Sequence, residues 1–124
     1  MNSAEVVNVK VAYIRPEYHD LREWCKDSNN VYIGRRGIVF IDGERYPKKD
    51  SIFANPYKIG RDGTREEVIS KYKIHLYIKL ATGEISKEQI LALKGKRLGC
   101  WCDDSSTCHG SILVELLNAY EIQL

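Results

Sequence analysis

Three cysteines and a histidine crowd the run Gly99-Cys100-Trp101-Cys102, then Asp103 to Thr107, then Cys108-His109-Gly110. Thiolate sulfur and imidazole nitrogen are the side-chain atoms that ligate soft metals, attack electrophiles and move protons near neutral pH. Three chemistries compete for this spacing. Zinc favours four sulfur and nitrogen ligands, which would be Cys100, Cys102, Cys108 and His109. The pattern, however, is Cys-x-Cys-x5-Cys-His rather than two Cys-x-x-Cys pairs, and an adjacent Cys and His seldom aim at one ion. The second chemistry is a pocket for an anion or nucleotide, with Cys108 and His109 against the ligand. The third is plain packing of apolar thiols on a buried strand. No Cys-x-x-Cys is present to favour thiol–disulfide exchange.

The elements around the run decide how these groups face. Lys96 to Cys102 predicts a strand, on which Cys100 and Cys102 share one side about 7 Å apart and Trp101 takes the other. A polar turn over Asp103 to Thr107 leads into a helix from about Cys108 to Tyr120, with Ser105, Ser106 or Thr107 as its cap. The unpaired N–H groups of a helix start attract anions and depress the pKa of a cysteine there. Cys108 is therefore the expected reactive thiolate, and His109, by its neutral titration range, the expected general acid or base. The other wall of a pocket has two candidates. Gly34-Arg35-Arg36-Gly37 follows an apolar run and offers guanidinium forks to phosphate or carboxylate. Asn55, held extended by Pro56, offers an amide that donates and accepts. The expected ligand set is thus Gly34, Arg35, Arg36, Asn55 and Cys102.

The scaffold reads as alternating strands and helices. Val7, Val9, Val11 and Tyr13 alternate with other residues and predict a strand over about 6–14, ended by Arg15-Pro16. Tyr18, Leu21, Trp24 and Cys25 recur at helical spacing. Val31-Tyr32-Ile33 restarts a strand. Ile38 to Ile41, Asp42-Gly43 and Glu44 to Tyr46 spell a hairpin around a two-residue turn. Thr64 to Glu67 is a capping box opening a helix to about Ala81, where Val68, Ile69, Tyr72, Leu76 and Leu80 form one apolar face. Ile74, Tyr77 and Ile78 widen that face, which predicts cover on two sides. His75 within it is expected to be a plain core or surface residue. Ser86 to Gln89 is a second capping box, stapled by Ile85 and Ile90. The sum is a three-layer Rossmann-like α/β domain over residues 1–124, with a short, mainly parallel sheet and a β-hairpin insertion near 38–46. In such sheets ligands bind beyond the carboxyl ends of the strands.

The totals agree with a single domain of modest core: 124 residues, 44% hydrophobic and 29% charged. A net charge of +2 gives only weak support for nucleic acid as a partner. Neither a leader nor a bilayer-length apolar stretch is read, so no membrane partner is expected and a cytoplasmic place is, with four reduced cysteines.

Taken together, Val7-Asn8-Val9, Ile33-Gly34-Arg35, Asn55-Pro56-Tyr57, Arg65-Glu66-Glu67-Val68 and Gly99 through Gly110 resemble the motif set of a small family of uncharacterised α/β domains found in bacteria, phages and large DNA viruses. The resemblance implies that the polar motifs share one site, with Arg35, Asn55, Cys102, Cys108 and His109 lining it. The Cys-x5-Cys-His ending is also similar to a second group of α/β domains with a strand–Cys–turn–Cys-His–helix element, an analogy that supports the Rossmann-like sheet. The expected function is binding, with or without turnover, of a nucleotide or other phosphorylated small molecule. The alternatives are a zinc-stabilised module for nucleic acid or protein, and a viral or phage accessory protein that sequesters a signalling nucleotide, acting in the host cytoplasm.

Overall fold

The computed structural model describes residues 4–102 and 108–123. Its centre is a parallel sheet in the order β1-β5-β2: β1 is Glu5–Asn8, β2 is Asn30–Tyr32 and β5 is Arg97–Cys100. The register sets Asn8 opposite Cys100 and Tyr32 opposite Gly99, so all three strands end together. The last strand in sequence lies in the middle, and Leu98 within it is fully buried.

Helices cover both faces, giving the three layers expected. On one side lie α3 (Arg65–Thr82), α4 (Lys87–Leu91) and α5 (His109–Gln123). Tyr72, Leu76, Ile90, Leu113 and Leu117 from these helices meet Leu98 and Cys100. On the other side α1 (Val11–Ile14) and α2 (Leu21–Lys26) bring Ile14, Leu21 and Trp24 against Val9. Both capping boxes form with reciprocal bonds, at Thr64/Glu67 and Ser86/Gln89. The hairpin, β3 (Val39–Ile41) and β4 (Glu44–Tyr46), turns through Asp42 and Gly43 at φ 53° and 80°, the left-handed pair that this turn requires.

Two expectations are corrected. The strand predicted over 6–14 stops at Asn8. Its partner β5 ends at Cys100, and the Asn8 carboxamide oxygen takes the Lys10 N–H at 2.9 Å, turning the chain into α1. Val9 stays fully buried, while Val11 and Tyr13 are 39% and 66% exposed. The second correction concerns α3, whose Ile74, Tyr77 and Ile78 are exposed. This helix packs on α5 through Val68, Tyr72 and Leu76, and a sheet of three short strands offers no second surface to cover its other side.

Two glycines let these layers close. A Cβ at Gly99 would stand 2.4 Å from the Trp24 ring and 2.7 Å from Val9 Cγ1. One at Gly110 would stand 2.9 Å from Ile33 Cδ1 and from Val6 Cγ2. Both glycines of the cysteine run are therefore close-approach points, one for α2 on the sheet and one for α5 on it.

Candidate functional site

A cavity of about 460 Å³ opens beyond the carboxyl ends of β2 and β5, where an open α/β sheet places its ligands. Its floor is Cys100, Trp101 and Cys102. Gly34 and Arg35 leave β2 on one side, and the loop with Asn55, Tyr57, Lys58 and Ile59 stands opposite. Arg65, Val68 and Ile69 at the start of α3 and His109 at the start of α5 complete the wall with Ile38. Of the expected ligand set, Gly34, Arg35, Asn55 and Cys102 line this one cavity, as does His109.

Local structure explains each placement. Ile33 N–H bonds the Gly99 carbonyl at 2.9 Å, extending β2 by one residue before the chain turns away. At Gly34 a Cβ would fall 2.5 Å from the Tyr32 hydroxyl. That hydroxyl accepts the Trp101 indole N–H at 2.8 Å and donates to the Arg35 carbonyl at 2.7 Å, tying the floor to the Gly-Arg loop. The Arg35 guanidinium donates to the Asn55 carbonyl at 3.2 Å and so ties that loop to the opposite wall. The Asn55 side-chain oxygen is already engaged, accepting the Tyr57 N–H at 2.9 Å. What Asn55 has left to offer the cavity is its Nδ2 donor pair.

Arg36 is not part of the lining. Its backbone N–H is held by the Asp50 carboxylate at 2.7 Å on the surface. Arg65, Lys58 and Tyr57 also line the cavity, although the expected ligand set did not include them. The capping box located the start of α3 accurately and put Arg65 at its first position, but nothing in the spacing said what that position faces. Arg35, Lys58 and Arg65 are three cations on one rim. Among the described residues no carboxylate lines the cavity, and none of the three is in an ion pair.

The cysteines behave differently from the expectation. The sulfurs of Cys100, Cys102 and Cys108 converge, all within 4.8 Å of one another, with Cys100 and Cys108 2.9 Å apart. All four cysteines of the chain are free. Cys108 is fully buried beneath the cavity and does not line it, whereas Cys102 is half-buried and does. The Cys102 thiol is pulled down by the hydrogen bonds donated from Cys100 and then Cys108, and the Arg65 cation adds to that pull. Cys108 is pushed up, because its proton is committed to Cys100 and Cys102 and the group is buried. At Cys108 two neighbouring sulfurs and burial oppose the pull that a helix start exerts on a thiol. The cap expected at Ser105, Ser106 or Thr107 and the turn from Asp103 lie outside the described residues.

His109 does not join the sulfur set; of the four expected zinc ligands, three converge. Its Nε2 lies 2.7 Å from the Ile33 carbonyl, which can only accept, so Nε2 carries the proton. Nδ1 is then the lone-pair nitrogen, 3.6 Å from Cys108 Sγ. Burial lowers its pKa and holds the ring neutral. The Tyr72 ring stacks edge-on at 4.9 Å. His75 is as plain as expected, packing beside Tyr57 and Tyr72, and Cys25 on α2 packs against the cluster of Val9, Ile14, Leu21 and Trp24.

Residues 17–119 match the family described as Domain of unknown function (DUF4326), and the chain belongs to it. An uncharacterized protein of Acanthamoeba polyphaga mimivirus is 33% identical over 115 residues, 87% of this chain and 78% of that protein. An uncharacterized 12.4 kDa protein from the nrdA-td intergenic region of Enterobacteria phage T4 is 38% identical over 61 residues, 48% of this chain. That alignment spans only 56% of the phage protein's length. The expected kinship with phage and large-virus proteins thus holds. No solved structure matches the chain. Among the described residues no helix is long and apolar enough to cross a membrane.

Proposed function

We propose that the cavity binds a nucleotide-class ligand: a flat, partly apolar group carrying phosphate. One observation supports this above the rest, the pairing of three cations with an otherwise aromatic and aliphatic wall. Arg35, Lys58 and Arg65 suit an anion, while Trp101, Tyr57, Val68 and Ile69 suit a ring. The volume of about 460 Å³ lies in the range of small-molecule sites. Asn55 Nδ2 would donate to a ring or sugar acceptor. The half-buried Cys102 and neutral His109 stand at the floor, available if a reaction follows binding. The reading supposes a reducing compartment, the host cytoplasm for the phage and viral relatives, which four free thiols suit.

The test is calorimetric titration and thermal shift of the full chain with AMP, ADP, ATP and inorganic phosphate. A charge-assisted hydrogen bond contributes about 1.5–3 kcal/mol, so Arg35→Met and Arg65→Met should each weaken binding by roughly 10- to 150-fold. Arg36→Met, outside the cavity, should leave it unchanged. Equal binding by the Arg35 and Arg36 variants, or no stabilisation by any nucleotide, would end the proposal. Recovery of the nucleotide unchanged marks a sequestering protein; a released product marks an enzyme.

A further inference from the structure

We infer that Cys100, Cys102 and Cys108 together hold one zinc-class divalent cation at the floor of the cavity, where no fourth protein ligand joins them among the described residues and the fourth coordination position faces the cavity. The three-sulfur part stands on its own geometry. Only the role of the open position in ligand binding rests on the nucleotide reading above.

The sulfurs come from rigid neighbours: Cys100 ends β5, Cys102 follows two residues later, and Cys108 immediately precedes α5. Zinc bound tetrahedrally to sulfur at about 2.3 Å spaces its ligands roughly 3.8 Å apart. Every pair of sulfurs lies within 4.8 Å, and Cys100 and Cys108 lie 2.9 Å apart, so the three are as close together as a shared ion requires. Backbone amides already point at the sulfurs: the Cys102 N–H serves Cys100, and the Gly110 N–H serves Cys108. Such donors stabilise negative sulfur, and a bare packing cluster has no need of them.

The direction of the open position follows from burial. Cys108 is fully buried behind, while Cys100 and Cys102 both face the cavity, so an ion among the three looks outward between the latter two. His109 stands beside the site with Nδ1 3.6 Å from Cys108 Sγ, yet its nitrogens fall outside the converging set. A site with three protein ligands and one exchangeable position is the arrangement of reactive zinc, whereas structural zinc is closed by four. Any oxygen or nitrogen donor of a ligand held by Arg35 and Arg65 would approach from that side.

The test uses the reduced full chain and Co²⁺ alone, without nucleotide. One equivalent should bind, with sulfur-to-cobalt charge-transfer absorption. Cys25→Ser should leave this unchanged. Cys102→Ser, at a half-buried position, should keep the fold by circular dichroism and weaken Co²⁺ binding by more than the ~10- to 100-fold of an outer-shell change. Azide, a small metal-binding anion that needs no nucleotide recognition, should shift the visible cobalt bands, and His109→Ala should retain them. Absence of the charge-transfer band, or a Cys100–Cys108 disulfide that persists under the reductant, overturns the metal site. Bands indifferent to azide, or lost in His109→Ala, overturn the open position. Nucleotide titrations run separately on the metal-free and the cobalt-loaded chain. Failure of both beside intact cobalt bands refutes the nucleotide reading and leaves the metal site standing.

Discussion

Substituting Gly99 by alanine isolates how tightly α2 is laid on the sheet. The new Cβ would stand 2.4 Å from Trp24 Cη2, 2.7 Å from Val9 Cγ1 and 2.8 Å from Trp24 Cζ3. Ordinary carbon contact begins near 3.5 Å, so the indole must retreat by about 1 Å. It has nowhere to go cheaply: Trp24 is 2% exposed and Val9 fully buried, both packed with Leu21 and Ile14. Overpacking of this kind costs about 1–3 kcal/mol, and two rigid neighbours place Gly99→Ala at the upper end. For a chain of this length that is a fall in Tm of roughly 8–15 °C. Gly110→Ala is the internal control. Its Cβ meets the branch ends of Ile33 and Val6 at 2.9 Å, an intrusion shallower by half an ångström. Alanine within α5 also recovers about 1 kcal/mol of helix propensity. The expected order is therefore a large loss for Gly99→Ala and a small one for Gly110→Ala. Thermal melts followed by far-ultraviolet circular dichroism and by tryptophan fluorescence would show it. A Gly99→Ala Tm within about 2 °C of the parent, or a Gly110→Ala loss as large, would refute the close-approach reasoning.

Three further outcomes are expected. Tyr72→Phe removes the hydroxyl that donates to the Phe53 carbonyl at 2.7 Å from a side chain only 1% exposed, leaving a buried acceptor unpaired. The loss should be about 1–3 kcal/mol in urea denaturation, and a change under 0.5 kcal/mol would show that the carbonyl finds another donor. Thr64→Ala breaks the capping box of α3 and should cost about 1 kcal/mol, with Thr64→Ser restoring most of it. Asp27 is held below its ordinary 3.8 by the Tyr18 hydroxyl first, then the Asn29 amide, with Arg97 also nearby. Because the folded pKa is depressed, this stabilisation is present above the unfolded pKa and is lost as pH falls through the folded one. Stability should drop in acid between about pH 5 and 2, and Asp27→Asn should flatten part of that slope in urea midpoints measured across the range.

Local interactions wrote much of this molecule plainly. Asp42-Gly43 sets its own turn, Thr64 to Glu67 and Ser86 to Gln89 cap their own helices, and alternating strands and helices imply a layered parallel sheet. Gly34, Arg35, Cys102 and His109 were legible as partners because each sits just past a strand or at a helix start, where a parallel sheet gathers its loops, and Asn55 was legible from the proline that follows it. What failed were quantities that no short window contains. The first strand ends at Asn8 because its partner β5 ends at Cys100, ninety-two residues away in the chain. Val11 and Tyr13 keep the alternation of a strand and yet lie on an exposed helix. Ile74, Tyr77 and Ile78 have the spacing of a second buried face, but the breadth of the sheet decides whether anything covers them.

The sharpest contrast lies among the cysteines. Residue type and spacing determined that thiols and an imidazole would meet at one strand-to-helix crossing. Which way each thiol's pKa moves depends on neighbouring sulfurs and on burial, so Cys102 is pulled down while Cys108, beside the helix start, is pushed up. Which groups converge depends on where side chains aim, so three sulfurs meet while His109 turns to the Ile33 carbonyl. Arg65 lines the same cavity as Arg35 only because packing brings the start of α3 beside the loop that leaves β2. Hydrogen bonds over a few residues and hydrophobic periods can be read along the chain. Dielectric environment, direction and long-range adjacency exist only once the layers have packed.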